Sequence, residues 1–98
     1  MKIYHGDRTI DGLQVTVDGA PLDPAMALKT FSENGFEWGY EGIEPTQLAF
    51  ALLADHLGNT DKAASLADGF MRGIVANFGN EWELTAEDME EAVTALSD

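Results

Sequence analysis

The chain opens on two short stretches of alternating character. Ile3 and His5 alternate with Lys2 and Tyr4, a polar Gly6-Asp7-Arg8 turn follows, and Leu13, Val15 and Val17 then alternate with Gln14, Thr16 and Asp18. A period of two sends successive side chains to opposite faces of a strand, so residues 1–22 are predicted to form strand, turn and strand with one buried face. Asp18-Gly19 tolerates positive φ, which predicts a tight turn ahead of Pro21 and Leu22. Asp23-Pro24 has helix-start chemistry, an oxygen for orphan N–H groups and a proline with φ already set, and predicts a short helix ending before Asn34-Gly35.

Residues 35–42, GFEWGYEG, alternate Phe36, Trp38 and Tyr40 with Glu37 and Gly39 and predict a third strand with one aromatic face, although glycine weakens strands. Pro45 is the expected first residue of the next helix. There Leu48, Leu52, Leu53 and Leu57 with Ala49, Ala51 and Ala54 are apolar around most of the girth, predicting the central buried helix, stopped by Gly58. Thr60 or Asp61 is the expected cap of a helix in which Ala63, Leu66, Ala67, Phe70, Met71, Ile74 and Phe78 recur at spacings of three and four until Gly79. Trp82 and Leu84 then alternate with Glu81 and Glu83 in a short extended piece. Thr85 stands three residues before Asp88, a capping box with Asp in place of Glu, and starts a last helix with Met89, Ala92, Val93 and Leu96 turned inward. Strands precede helices, so the predicted fold is α+β: a small, mainly antiparallel sheet, N-terminal hairpin plus central aromatic strand, covered on one face by about three helices.

Composition narrows this further. At 98 residues and 45% hydrophobic content the chain is long enough for one core and too apolar for a disordered acidic tail, so one domain over 1–98 is expected. With no cysteine, disulfides, thiolate metal sites and cysteine nucleophiles are excluded. No segment approaches the roughly 18 consecutive apolar residues of a membrane span, nor does the N-terminus resemble a signal peptide. A soluble protein of the cytoplasm of a bacterial, archaeal or phage-infected cell is expected.

Catalytic chemistry is hard to place. No calcium loop occurs, and Asp7, Asp11 and Asp18 flank turns whose backbone groups they can satisfy. His5 and His56 lie far apart with no third nitrogen or sulfur ligand, and His56 reads as a satisfied, partly buried residue on an apolar helix. Ser32, Ser65 and Ser97 lack the strand-turn-helix setting of an activated nucleophile. Glu37, Glu41 and Glu44 are close enough to converge as acid and base, a reading that needs a pocket shared with His5 or His56. The glycines of GFEWGYEG match neither a dinucleotide fingerprint nor a phosphate loop. Neither an enzyme, a cofactor nor a metal is expected.

Charge carries more information. Asp and Glu number 18 against five Lys and Arg, giving a net charge of −13 at pH 7. Affinity for nucleic acid draws on cations that displace phosphate counterions, so direct binding is excluded by sign. The same sign suits a protein that imitates nucleic acid. A chain of this length spans roughly 30 Å, over which a duplex presents about 18 phosphate charges. Acids crowd two segments: Glu33, Glu37, Glu41 and Glu44 in one, and Glu81, Glu83, Glu87, Asp88, Glu90 and Glu91 in the other, with no basic residue from 81 to 98. These ten residues are the candidate contacts to a basic, nucleic-acid-binding partner protein, with a monomer as the default. The competing reading is a salt-tolerant acidic domain with a small-molecule or protein ligand near Trp38, Tyr40 and Glu44.

VTVDGAPLDP (15–24) and GFEWGYEGIEPTQLAFALLADHLG (35–58) together resemble a family of small prokaryotic and phage-borne proteins classed as a domain of unknown function. The resemblance implies no activity, cofactor or catalytic residue. In size, acidity and fold class the chain is also similar in character, with no shared motif, to acidic phage anti-CRISPR proteins that imitate DNA. That likeness implies a CRISPR effector subunit as the partner and inhibition as the role.

Overall fold

In the computed structural model residues 2–33 and 35–97 are described. Strands β1 (Ile3–Thr9) and β2 (Gly12–Val17) form a hairpin, but Gly6, Asp7 and Arg8, expected as its turn, are paired strand residues opposite Val15, Gln14 and Leu13, and the chain reverses at Ile10-Asp11. The Asp18-Gly19 turn, with φ of 51° and 85°, returns the chain into a two-residue strand β3 (Ala20–Pro21). Strand β4 (Glu81–Thr85) then pairs antiparallel with the free side of β1, giving the sheet order β3-β2-β1-β4. The extended piece around Trp82 is therefore a full member of the sheet. Register decides its faces: Tyr4 lies opposite Val17 and Leu84, and Gly6 opposite Val15 and Trp82. That parity points inward, so Tyr4 is buried while Ile3 and His5 belong to the open face.

Three α-helices cover the inner face: α1 (Ile43–Leu57), α2 (Thr60–Gly73) and α3 (Ala86–Ser97). Every residue of α1 from Pro45 to Leu53 is buried, so it is the central helix its all-round apolarity predicts. It ends at Gly58 in a left-handed C-cap. α2 is capped one residue before expectation, by the Asn59 side chain accepting from the Lys62 N–H, instead of by Thr60 or Asp61. It also stops early, at Gly73 rather than Phe78, and a 3₁₀ turn over Val75–Asn77 follows. The apolar spacing continues past the break because Val75 and Phe78 still face the core, without helical hydrogen bonding between them and α2. α3 starts with the capping box read from the sequence: the Asp88 N–H donates to Thr85 Oγ1, and Asp88 Oδ2 accepts from the Thr85 N–H.

Two predicted elements are absent. Residues 24–33 form a turn at 26–28 followed by bends and irregular chain instead of a helix. The Ala25 N–H donates to Asp23 Oδ1, Ala25 itself is left-handed at φ 60°, and the N–H groups of Leu28 and Lys29 both close onto its carbonyl. The predicted helix end at Asn34 lies outside the described residues. Gln47, wholly buried on α1, replaces the helical bonds. Its Oε1 accepts from the N–H groups of Phe31 and Ser32, and its Nε2 donates to the carbonyls of Pro24 and Lys29. The aromatic strand at 35–42 is likewise irregular loop and bends. Gly39 sits at φ 89°, which no strand accommodates, and its N–H donates to Val75 O. The segment serves as an anchor instead of a strand. Trp38 is buried, donates from Nε1 to Gly79 O at 2.7 Å, and meets Trp82 edge-on at 5.7 Å. Trp82 stacks on Phe78 at 4.3 Å and lies directly over Gly6, where a Cβ would overlap the indole.

Candidate interaction surface

The two acidic segments have different fates in three dimensions. In the first, Glu37 is ion-paired at 2.9 Å to Arg8, which also donates to Trp38 O and lies 5.1 Å above the Trp38 ring. Glu41 is paired at 3.0 Å to Arg72, whose Nε also reaches Asp68. Asp68, then Glu41, stabilise the charged guanidinium and raise the Arg72 pKa. Glu33 is exposed and Glu44 half-buried, and neither bonds to a described residue. Tyr40 stands 45% exposed nearby, its pKa raised first by partial burial and then by the charges of Glu44 and Glu37, with Arg8 opposing. This segment is substantially neutralised by arginines drawn from β1 and α2.

The second segment keeps its charge. On edge strand β4, Trp82 and Leu84 point inward, so the pleat sends Glu81 and Glu83 to the open face. On α3, Met89 and Val93 are the buried pair, which turns Glu87, Glu90 and Glu91 to solvent, where they line a shallow depression with Thr94 and Ala95. Asp88 is turned back to cap the helix. Neither Lys nor Arg pairs with any of the six. The groups that approach are His5, 2.7 Å from Glu81, and His56, 3.2 Å from Glu90. Glu83, Glu87 and Glu91 bond to no described residue. The structure thus places Glu81, Glu83, Glu87, Glu90 and Glu91 on one β4–α3 ribbon of chain, with the two strand acids on the open face of the sheet and the three helix acids on the solvent side of α3, and sets Glu33, Glu37, Glu41 and Glu44 apart from it in the loop and first turn that lead into α1.

Other expected chemistry is dispersed. His5 and His56 are engaged with Glu81 and Glu90, and none of the three concavities described is lined by either. Asp18 Oδ1 accepts from the Ile3 N–H across the hairpin on β1, and so satisfies a backbone group of the neighbouring strand instead of one in its own turn. Among the described residues no group of three His, Cys, Asp or Glu is disposed to hold a metal ion, and no helix is long and apolar enough to cross a membrane.

Two polar nodes escaped the sequence reading. Gln47 is one; its signal was a lone amide inside an otherwise apolar helix. Asp55 is the other: its Oδ2 accepts from Tyr4 Oη at 2.7 Å and Lys2 Nζ at 3.0 Å. Burial opposes ionisation of Asp55, but the bonds from Tyr4 and Lys2 outweigh it and hold its pKa below the usual carboxylate value. Burial first, then the bond to Asp55, pushes the Tyr4 phenol far above its ordinary range. No signal in the sequence linked these residues, which lie on different elements.

No curated protein and no solved structure is significantly similar to the chain. A family of unknown function does match, over residues 4–95, and with that match spanning both hairpin and helices the chain belongs to the family DUF6166.

Proposed function

We propose that this protein is a non-enzymatic interaction protein whose β4–α3 ribbon occupies the basic nucleic-acid-binding surface of a partner protein and excludes DNA from it. The observation that supports the reading is the absence of any Lys or Arg pairing along residues 81–97, in a fold that pairs Glu37, Glu41, Asp55 and Asp68 with its cations. α3 has 12 residues, about 18 Å at ~1.5 Å each, and carries four carboxylates. One strand of B-form DNA presents about five phosphates over that length at ~3.4 Å each. The charge densities are close enough for a groove built for phosphate to accept the helix, with fast, salt-sensitive association. The narrower form of the proposal, inhibition of a CRISPR effector subunit, draws on the likeness in character to acidic anti-CRISPR proteins.

The test is affinity capture from a prokaryotic lysate at low and high salt, with duplex DNA as competitor. A DNA-binding protein should be retained at low salt and released by either. Glu83→Lys, Glu87→Lys and Glu91→Lys combined alter side chains with no internal bonds, so the fold should survive. Binding should drop by about a hundredfold, since opposed like charges across an interface cost several kcal/mol. Retention that DNA does not displace, or that the triple reversal leaves unchanged, refutes the proposal.

The alternative, a salt-adapted acidic domain, is favoured by the carboxylates spread beyond the ribbon, among them exposed Asp11, Asp18 and Asp61. It predicts stability that climbs steeply with salt and no retained DNA-binding protein.

A further inference from the structure

Between the 22–28 loop and α1 lies a cavity of about 320 Å³ that neither the ribbon nor the aromatic anchor uses. Its existence follows from side-chain size. Ala51 and Ala54 stand one turn apart on α1, and across from them Ala25 holds the loop in a left-handed turn, so three methyl groups face a space that larger residues would fill. Leu22, Ala25 and Ala51 are buried and form the floor, whereas Leu28, 58% exposed, and Asp23 stand at the mouth with half-buried Asp55.

Each of the two carboxylates is fixed through one oxygen, Asp55 with its charge already paired to Lys2 and Asp23 with no cation beside it among the described residues. Asp23 uses Oδ1 to accept from the Ala25 N–H, and Asp55 uses Oδ2 to accept from Tyr4 and Lys2. The other oxygen of each makes no bond to a described residue. Each is therefore held in place by one oxygen with the second left as an acceptor. A small apolar cleft with a few oriented polar groups is the usual form of a ligand site, and this volume lies at the lower end of the range, about 300–1,000 Å³.

We infer that this cavity binds a short alkylammonium or alkylguanidinium, with its hydrocarbon end on the alanine floor and its cationic head between Asp23 and Asp55. The polarity of the site also selects the source. A lysine or arginine from a protein partner is tethered at its hydrocarbon end and enters head first, which would bring its charge to the apolar floor and away from both carboxylates. A free amine has an untethered hydrocarbon end and meets no such penalty. None of the β4–α3 acids lines this cavity, so the inference stands or falls separately from the function proposed above.

The experiment follows alanine and leucine methyl resonances of the intact chain during titration with hexylammonium, hexanoate and Nα-acetyl-lysine amide. Hexylammonium should saturably shift the methyls of Ala25, Ala51, Ala54 and Leu22, with hexanoate and the lysine amide each bound at least about tenfold more weakly, because one carries the wrong charge and the other the wrong polarity. Asp23→Asn keeps an oxygen for the Ala25 N–H and should weaken hexylammonium by about three- to fivefold, the scale of one exposed ion pair. Ala54→Leu fills the space and should abolish the shifts. No saturable shift with hexylammonium, equal binding of hexanoate, lysine amide as tight as hexylammonium, or shifts confined to the α3 methyls of Ala92, Ala95 and Leu96 would each overturn the inference. Asp23→Asn supplies a readout even if Ala54→Leu disturbs packing.

Discussion

Replacing Gln47 with leucine removes four hydrogen bonds and almost no volume. The side chain is fully buried, and its amide is the partner of the Phe31 and Ser32 N–H groups and of the Pro24 and Lys29 carbonyls. A typical intramolecular hydrogen bond contributes about 1 kcal/mol net, and a buried group left unpaired costs about 1–3 kcal/mol. If all four backbone groups stayed buried the loss would reach several kcal/mol. The loop can instead open and hydrate some of them, which sets the expected cost nearer ~3 kcal/mol. Against a total stability of about 5–15 kcal/mol this is a large fraction. With a urea slope near ~1.5 kcal/mol/M, the unfolding midpoint should fall by about 2 M. Hydrogen exchange gives the local readout: the Phe31 and Ser32 amides should lose protection in Gln47→Leu while those within α1 keep theirs. Gln47→Glu should also destabilise, since a carboxylate can still accept from the two N–H groups and cannot donate to the two carbonyls. A midpoint shift under about 0.5 M with both amides still protected would refute the clamp, because the loop would then be held by something else.

The other predictions concern packing and pH. Gly6→Ala puts a methyl group into the Trp82 indole, so Trp82 must leave its stack on Phe78, with a loss of about 2 kcal/mol or more and a red-shifted tryptophan emission; unchanged emission and midpoint would contradict the close approach. The Asp55 carboxyl, held low in the native state, contributes stability that is present above its unfolded value of about 4 and is lost as pH falls through the native pKa. The Tyr4 phenol, held high, contributes stability present below about pH 10 and lost as pH rises beyond it, so denaturation midpoints should form a plateau with both limbs falling. Tyr4→Phe should flatten the alkaline limb, and a limb of unchanged slope would remove Tyr4 from its origin.

What this sequence determined by itself is the part written in near-neighbour physics. Alternation in 13–17, the positive-φ dipeptide Asp18-Gly19, the three- and four-residue apolar spacing of α2 and the Thr85/Asp88 box each settle their own structure, because the interacting groups lie within a few residues. Tertiary structure decided everything that depends on a distant partner. Alternation at 35–42 looks like a strand, yet Gly39 stands at φ 89° and donates to Val75 O while Trp38 is drawn to Gly79, so contacts with the distant 75–79 segment break the extended run. Asp23-Pro24 looks like a helix start, yet a short helix is weak by itself, and the Gln47 amide, 23 residues from Pro24, captures the backbone groups a helix would have used. The same division governs the acidic surface. Composition fixed a charge of −13, but which carboxylates remain unpaired was set by where Arg8 and Arg72 land, since an ion pair depends on distance in space and not on position along the chain.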